Sequence, residues 1–252
     1  MVGPLFTSLP AAGLALAVLL PLSLAPDNAQ AVDAEAANIA VTSDSVADRI
    51  NLAGRQRSLT LSMAKSFCYA RSGVDAARNV KALQDDMSRF DAVLDGFAKG
   101  DATLGLFAEQ DAGVKKAWNS VNLMWTPLSA IYVSALDGAF VSEEEFGQAM
   151  GLTLEVRKRS NDMVAQLRAA YADELGDGGF GDAVLIDLYG RQRSLSQQLS
   201  KLVCLMSRGF EPTATQSELV EALDLFETSL NAFLEGMPIA GVPKPPSQEI
   251  AD

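Results

Sequence analysis

Four arginines, two in each of two matching hexapeptides, are the residues of this chain best placed to do chemistry. Gly54-Arg55-Gln56-Arg57-Ser58-Leu59 returns unchanged as Gly190-Arg191-Gln192-Arg193-Ser194-Leu195, 136 residues further on. At the same offset Lys65 matches Lys201, Cys68 matches Cys204 and Gly73 matches Gly209. Residues 48–73 and 184–209 agree at 11 of 26 positions without a gap. Helices that share only an apolar period do not share six consecutive residues, so the chain carries an internal duplication. A guanidinium offers a flat fork of donors suited to planar oxyanions. The question is which arginines are held where an anion is needed.

Helical angles, taken at about 100° per residue from Ile50, separate the two arginines of each copy. Leu52, Leu59, Met63 and Phe67 form a bulky apolar stripe that should face the main core. Arg55, Ser58 and Ser62 form a polar face that should see water. Ile50, Ala53, Gly54, Arg57, Leu61, Ala64 and Cys68 form a third stripe, rich in small residues that let another helix approach. In the second copy this seam reads Ile186, Tyr189, Gly190, Arg193, Gln197, Ser200 and Cys204. Arg55 and Arg191 thus read as surface residues, and Arg57 and Arg193 as seam residues. If the two seams pack together, guanidiniums ~6 Å apart at an effective dielectric of about 20 repel by about 3 kcal/mol. Desolvation adds several kcal/mol more per charge. That arrangement requires an anion, either a carboxylate from a neighbouring helix or a ligand. Gln197, Ser196 and Thr60 are candidates for additional neutral hydrogen bonds.

The elements that must position these groups read as helices nearly throughout. The first runs from 43 to 72 and stops at Gly73. The second, 75–98, carries Val80, Leu83, Met87, Phe90, Val93, Leu94 and Phe97 at helical spacing. A third spans about 107–136, with Pro127 as a kink or restart. A fourth opens on the capping box Ser142-Glu143-Glu144-Glu145 and reaches about Leu175. Gly176-Asp177-Gly178-Gly179-Phe180-Gly181 is the expected hinge. The fifth helix, 182–208, repeats the first, and the sixth, about 215–235, opens on a capping box at Thr215–Glu218. The expected fold is all-α, an up-and-down antiparallel bundle of about six helices with short connections. Helices one, three and five then run the same way, which places the two repeated helices in parallel. The expected organisation is a four-helix first repeat over 43–175, a two-helix second repeat over 182–236 and a proline-rich tail at 237–252.

Composition removes several classes of function. The chain has 32 acids, 20 bases and no histidine, a net charge of −12, which is unsuited to nucleic acid or an anionic membrane surface. Without histidine there is no His-based metal site, no Ser-His or Cys-His nucleophile and no histidine proton shuttle. Residues 1–31 have an apolar run from Ala11 to Ala25 and the pattern Ala29-Gln30-Ala31, as in a cleaved signal peptide. The mature protein should therefore be periplasmic, with no membrane insertion of its own. Cys68 and Cys204, the only cysteines, share a repeat position on the seam. In an oxidising compartment they are either a disulfide or two buried thiols. Glu143–Glu145 reads as first-turn acids favoured by the helix dipole, Asp85-Asp86 as a solvated face, and Trp118 with Trp125 as core. No acid pair, phosphate loop or activated nucleophile points to an enzyme, and no metal or cofactor is implied.

The run Ile50-Asn51-Leu52-Ala53-Gly54-Arg55-Gln56-Arg57-Ser58-Leu59 resembles the opening helix of the PilJ-type module. That module is the N-terminal sensing domain of type IV pili methyl-accepting chemotaxis transducers, and usually reads I-N-L-A-G-R-Q-R-M-L-S-Q. The second copy keeps the ending as Ser196-Gln197, whereas the first departs from it at Thr60-Leu61. The module is similar to the periplasmic domain of nitrate and nitrite sensor kinases, where two parallel first helices of a dimer each present one arginine to one oxyanion. The resemblance implies a one-chain version of that site, with Arg57 and Arg193 holding the oxyanion, Gly54 and Gly190 beside them, and Gln197 as an added donor. Nitrate or nitrite is the leading ligand, and a membrane-bound receptor or kinase the implied partner. The alternative is a ligand-free helical scaffold that docks on a receptor or envelope assembly.

Overall fold

The structure, a computed structural model, describes residues 39–236, with the side chains of residues 176–188 outside that description. The expected signal peptide and proline-rich tail lie outside the described residues. Six α-helices and one 3-10 turn account for nearly all of the described chain. They are α1 (Ser43–Arg71), α2 (Ala76–Lys99), α3 (Ala112–Leu136), α4 (Glu143–Ala170), α5 (Ala172–Ser207) and α6 (Pro212–Glu235). The all-α bundle read from periodicity is the fold observed.

Contacts along the helices fix their directions. Gln56 of α1 faces Phe90 of α2, Asp91 of α2 faces Trp125 of α3, and Tyr132 of α3 faces Thr153 of α4. Each of these neighbouring pairs is antiparallel, and α4 returns beside α1, with Phe146 stacked on Phe67. Helices α1 to α4 thus close a four-helix bundle. Its core holds Phe67, Phe90, Trp125, Tyr132 and Phe146 in successive ring contacts. Such contacts add roughly 0.5–1.5 kcal/mol each beyond the area they bury. The α5–α6 hairpin packs against the outside of this bundle, with α5 along α1 and α6 covering only α5. Leu223 and Leu230 of α6 are consequently exposed, whereas Met87 and Leu94, their counterparts on α2, are buried under α3.

Both copies end their repeated helix in the same way. Gly73 has φ 71 and Gly209 φ 67, the left-handed conformation that glycine adopts without penalty. In each copy two hydrogen bonds close a Schellman motif: Gly73 N to Ala70 O with Val74 N to Tyr69 O, and Gly209 N to Met206 O with Phe210 N to Leu205 O. Asp75 and Glu211, again 136 apart, then adopt φ 44 and φ 40 before the next helix begins. The duplication therefore covers a whole helix–turn–helix, including a turn in which only the glycine is identical.

Three boundaries differ from the expected ones. Helix α4 ends at Ala170, and α5 begins one residue later, so the backbone of Gly176–Gly181 is helical and not a hinge. The chain turns at Tyr171, whose hydroxyl donates to Glu109 Oε1 at 2.6 Å and whose ring meets Phe107 edge-on. A tertiary anchor breaks the helix there, with no local glycine or proline. Helix α6 starts at Pro212, whose fixed φ suits a first helical turn, and Thr215 donates back to Phe210 O at 2.7 Å instead of capping. Helix α3 begins at Ala112 behind the cap Asp111 and continues through Pro127. Ser142 does form the expected capping box with Glu145.

Candidate anion site between the repeated helices

The two repeated helices lie parallel and in contact. Asn51 reaches Arg193, Lys65 reaches Gln197 and Tyr69 reaches Ser200 O, all from α1 to α5, and the C-cap residues Ser72 and Arg208 meet beyond them. Every seam residue of the first copy, from Ile50 through Arg57 to Cys68, is buried. At one end of the seam Cys68 and Cys204 are joined, with their Cα atoms 6.3 Å apart. Nearby, Arg71 and Arg208 both donate to Glu143 Oε1, at 2.8 and 2.9 Å. Hydrogen bonding from Arg71, ahead of Arg208, holds the Glu143 carboxyl below its usual range.

The hexapeptide sits further along the seam, and each of its residues has its own task. Gly54 and Gly190 are the places of closest approach. A Cβ added at either would stand 3.0 Å from Arg57 Nη2, so the guanidinium of Arg57 lies over both glycines. The same Cβ at Gly190 would stand 3.8 Å from Arg193 Nη2. Gln56 and Gln192 tie their helices to the hairpin partner, each donating through Nε2 at 3.3 Å, to Phe90 O and Phe226 O. Those acceptors are themselves 136 residues apart. The role of this glutamine was not read from the sequence, although its place between the arginines, at a different helical angle, was the available signal.

Arg57 and Arg193 are brought together but not as equals. Arg57 is buried, donating Nε to Gly54 O at 3.1 Å and Nη1 to Asn161 Oδ1 at 3.2 Å. Arg193 is exposed, with Nη2 3.4 Å from Asn51 Oδ1. Burial first, and the nearby charge of Arg55 second, lower the pKa of Arg193 from its ordinary value. Gln197 does not turn toward the arginines, since its Oε1 accepts from Lys65 Nζ at 2.8 Å. Thr60 and Ser196 spend their hydroxyl protons on Gln56 O and Arg193 O of their own helices. Leu61, in place of the glutamine of the second copy, is fully buried. Arg55 and Arg191 are exposed.

A second buried arginine, Arg49, lies one turn outside the motif. It is paired with Glu109, donates to Phe107 O at 2.7 Å and stands over the Phe107 ring at 3.8 Å. Glu109 also accepts from the backbone N–H groups of Gln110 and Asp111, both at 2.8 Å. Desolvation, opposed by Glu109, lowers the Arg49 pKa. Although Arg49 Nε is left without a hydrogen-bond partner among the described residues, this buried pair anchors the loop before α3 to α1. Its signal in the sequence is that Arg49 shares the helical angle of Phe67 on the apolar stripe.

Among the described residues no helix is long and apolar enough to cross a membrane. A family model described as the type IV pili methyl-accepting chemotaxis transducer N-terminal domain, PilJ, matches residues 39–137 and 180–252. No curated protein and no solved structure matches the chain.

Proposed function

The chain belongs to the PilJ family of chemotaxis-transducer N-terminal domains, and from that membership we propose that it senses a small oxyanion held between its repeated helices. PilJ domains are periplasmic sensory domains of chemotaxis transducers, a non-catalytic family acting within membrane-bound receptors. Nitrate and nitrite are the leading ligands implied by the resemblance to the periplasmic domain of nitrate and nitrite sensor kinases. A planar oxyanion matches two guanidinium forks, and the bare backbone at Gly54 and Gly190 is what admits the Arg57 guanidinium to the seam. The observation that carries the reading is the approach of Arg57 and Arg193 to one point over Gly190. Asn51 and Asn161 already accept from these arginines, and their amide N–H groups supply further donors for an anion. A signal peptide would deliver the domain to the periplasm, where a membrane-bound receptor or kinase would read it.

The test is the melting temperature of the protein in nitrate, nitrite, sulfate and acetate at constant ionic strength. Ligand that binds only the folded state raises stability by mass action, about 2.7 kcal/mol at a hundredfold excess over Kd. Nitrate or nitrite should raise the melting temperature, Arg57→Ala and Arg193→Ala should each abolish the rise, and Arg55→Ala should not. A scaffold reading has one observation on its side, the exposed Leu223, Leu225, Leu230 and Leu234 of α6. It becomes the better account if no anion stabilises the protein.

A further inference from the structure

Beside the seam, on the face that α1 shares with α2, lies a cavity of about 400 Å³. Its polar lining is Arg55 and Ser58 of α1, Arg89 of α2 and Arg193 of α5; its apolar lining includes Leu52, Leu59, Val93 and Leu104. Three arginines therefore border one cavity from three helices, and no carboxylate is among the described residues that line it. In a chain with 32 acids and 20 bases, this is the reverse of the prevailing surface. Among the described residues, the acid bonded to a lining arginine is Asp86, whose Oδ1 stands 3.4 Å from Arg89 Nη1 on the same helix. A pair of that kind with a largely exposed arginine is a weak competitor for it. Asp86 is itself buried, contrary to the solvated face read for Asp85-Asp86, and meets Arg89 through Nη1 alone.

The geometry points to a second ligand site here, for an organic carboxylate with a short apolar body. The volume is that of a small-molecule site, and the mixture of an apolar wall with a few convergent charged groups is what such sites use. An inorganic oxyanion would engage the guanidiniums but leave Leu52, Leu59, Val93 and Leu104 in water. A carboxylate on a hydrocarbon body uses both halves of the lining. Burial first and the charge of Arg55 second lower the pKa of Arg193, and an anion between the two arginines relieves their repulsion. The site goes beyond the seam reading, shares Arg193 with it, and is otherwise built from residues that the seam does not use.

Isothermal titration of the full chain with sodium hexanoate, benzoate, acetate and nitrate tests it. Hexanoate should bind tenfold or more tighter than acetate, since each buried methylene contributes about 0.8 kcal/mol. Arg55→Ala and Arg89→Ala should each weaken hexanoate by about tenfold, the loss of one charge-assisted hydrogen bond. Both side chains are exposed, so each variant should keep the melting temperature of the parent. Under the seam reading the same two variants retain the nitrate response. The proposal is overturned if hexanoate binds no tighter than acetate, or if either substitution leaves hexanoate binding unchanged. A parent protein that binds hexanoate as expected but shows no nitrate binding would remove the seam reading alone.

Discussion

The duplicated hexapeptide assigns its residues by helical angle, and the glycine sets the terms for the rest. Arg57 lies flat over Gly54 and Gly190 because neither has a side chain. Gly190→Ala would place a methyl 3.0 Å from Arg57 Nη2, within the space the guanidinium occupies. Alanine in a helix interior is favoured over glycine by about 1 kcal/mol, and displacing the guanidinium opposes that gain. The variant should therefore melt within a few degrees of the parent while losing the nitrate-induced rise, as a thermal titration would read. The seam position of Arg57 was legible from the sequence because the 3.6-residue period alone determines it. The difference between Arg57 and Arg193 was not, since it depends on α4, which supplies Asn161 to one arginine and nothing equivalent to the other. Arg49 was missed for a related reason. A buried charge needs a partner, and Glu109 is 60 residues away.

At the scale of elements, caps with a strong local signature were readable and tertiary anchors were not. Ser142 with Glu145, and Gly73 with Gly209, satisfy backbone groups by themselves and mark their helix ends in the sequence. Tyr171 ends α4 only because Glu109 and Phe107 hold it, which local propensity cannot report. The paired turns make a measurable prediction. Glu211 has φ 40, a conformation that disfavours a side chain by roughly 1–2 kcal/mol. Glu211→Gly should remove that strain, and the greater freedom of glycine in the unfolded chain returns part of the gain. A net stabilisation of about 0.5–1 kcal/mol is expected in urea unfolding, with an unchanged slope.

For the whole molecule, duplication makes one chain do what two parallel helices from separate chains would do. The first copy is enclosed by α3 and α4, while the second meets α4 at a few points such as Arg208–Glu143 and Phe210–Phe146, so its attachment relies chiefly on the α1–α5 seam. The Cys68–Cys204 bond spans a separation of 136 residues across that seam. Closing a loop of this length stabilises by about 4–5 kcal/mol in the chain-entropy account. Cys68→Ser with Cys204→Ser should then lower the melting temperature by roughly 10 °C. The same loss should follow reduction of the parent, and reductant should leave the double variant unaffected. An equal melting temperature for parent and double variant would show that seam packing alone holds the hairpin.

The position of that bond also governs how α1 and α5 can move against each other. The sulfurs pin the pair at one end, and the arginines sit about 16 Å away, at roughly 1.5 Å per helical residue. Two rods joined near one end cannot slide past each other like pistons, but they can open and close like tongs. An anion gripped at the arginines would draw α5 toward α1 about the Cys68–Cys204 pivot, since α1 is itself held in the bundle, at Arg49 by Glu109. Occupancy would then be transmitted as a change of angle between the helices.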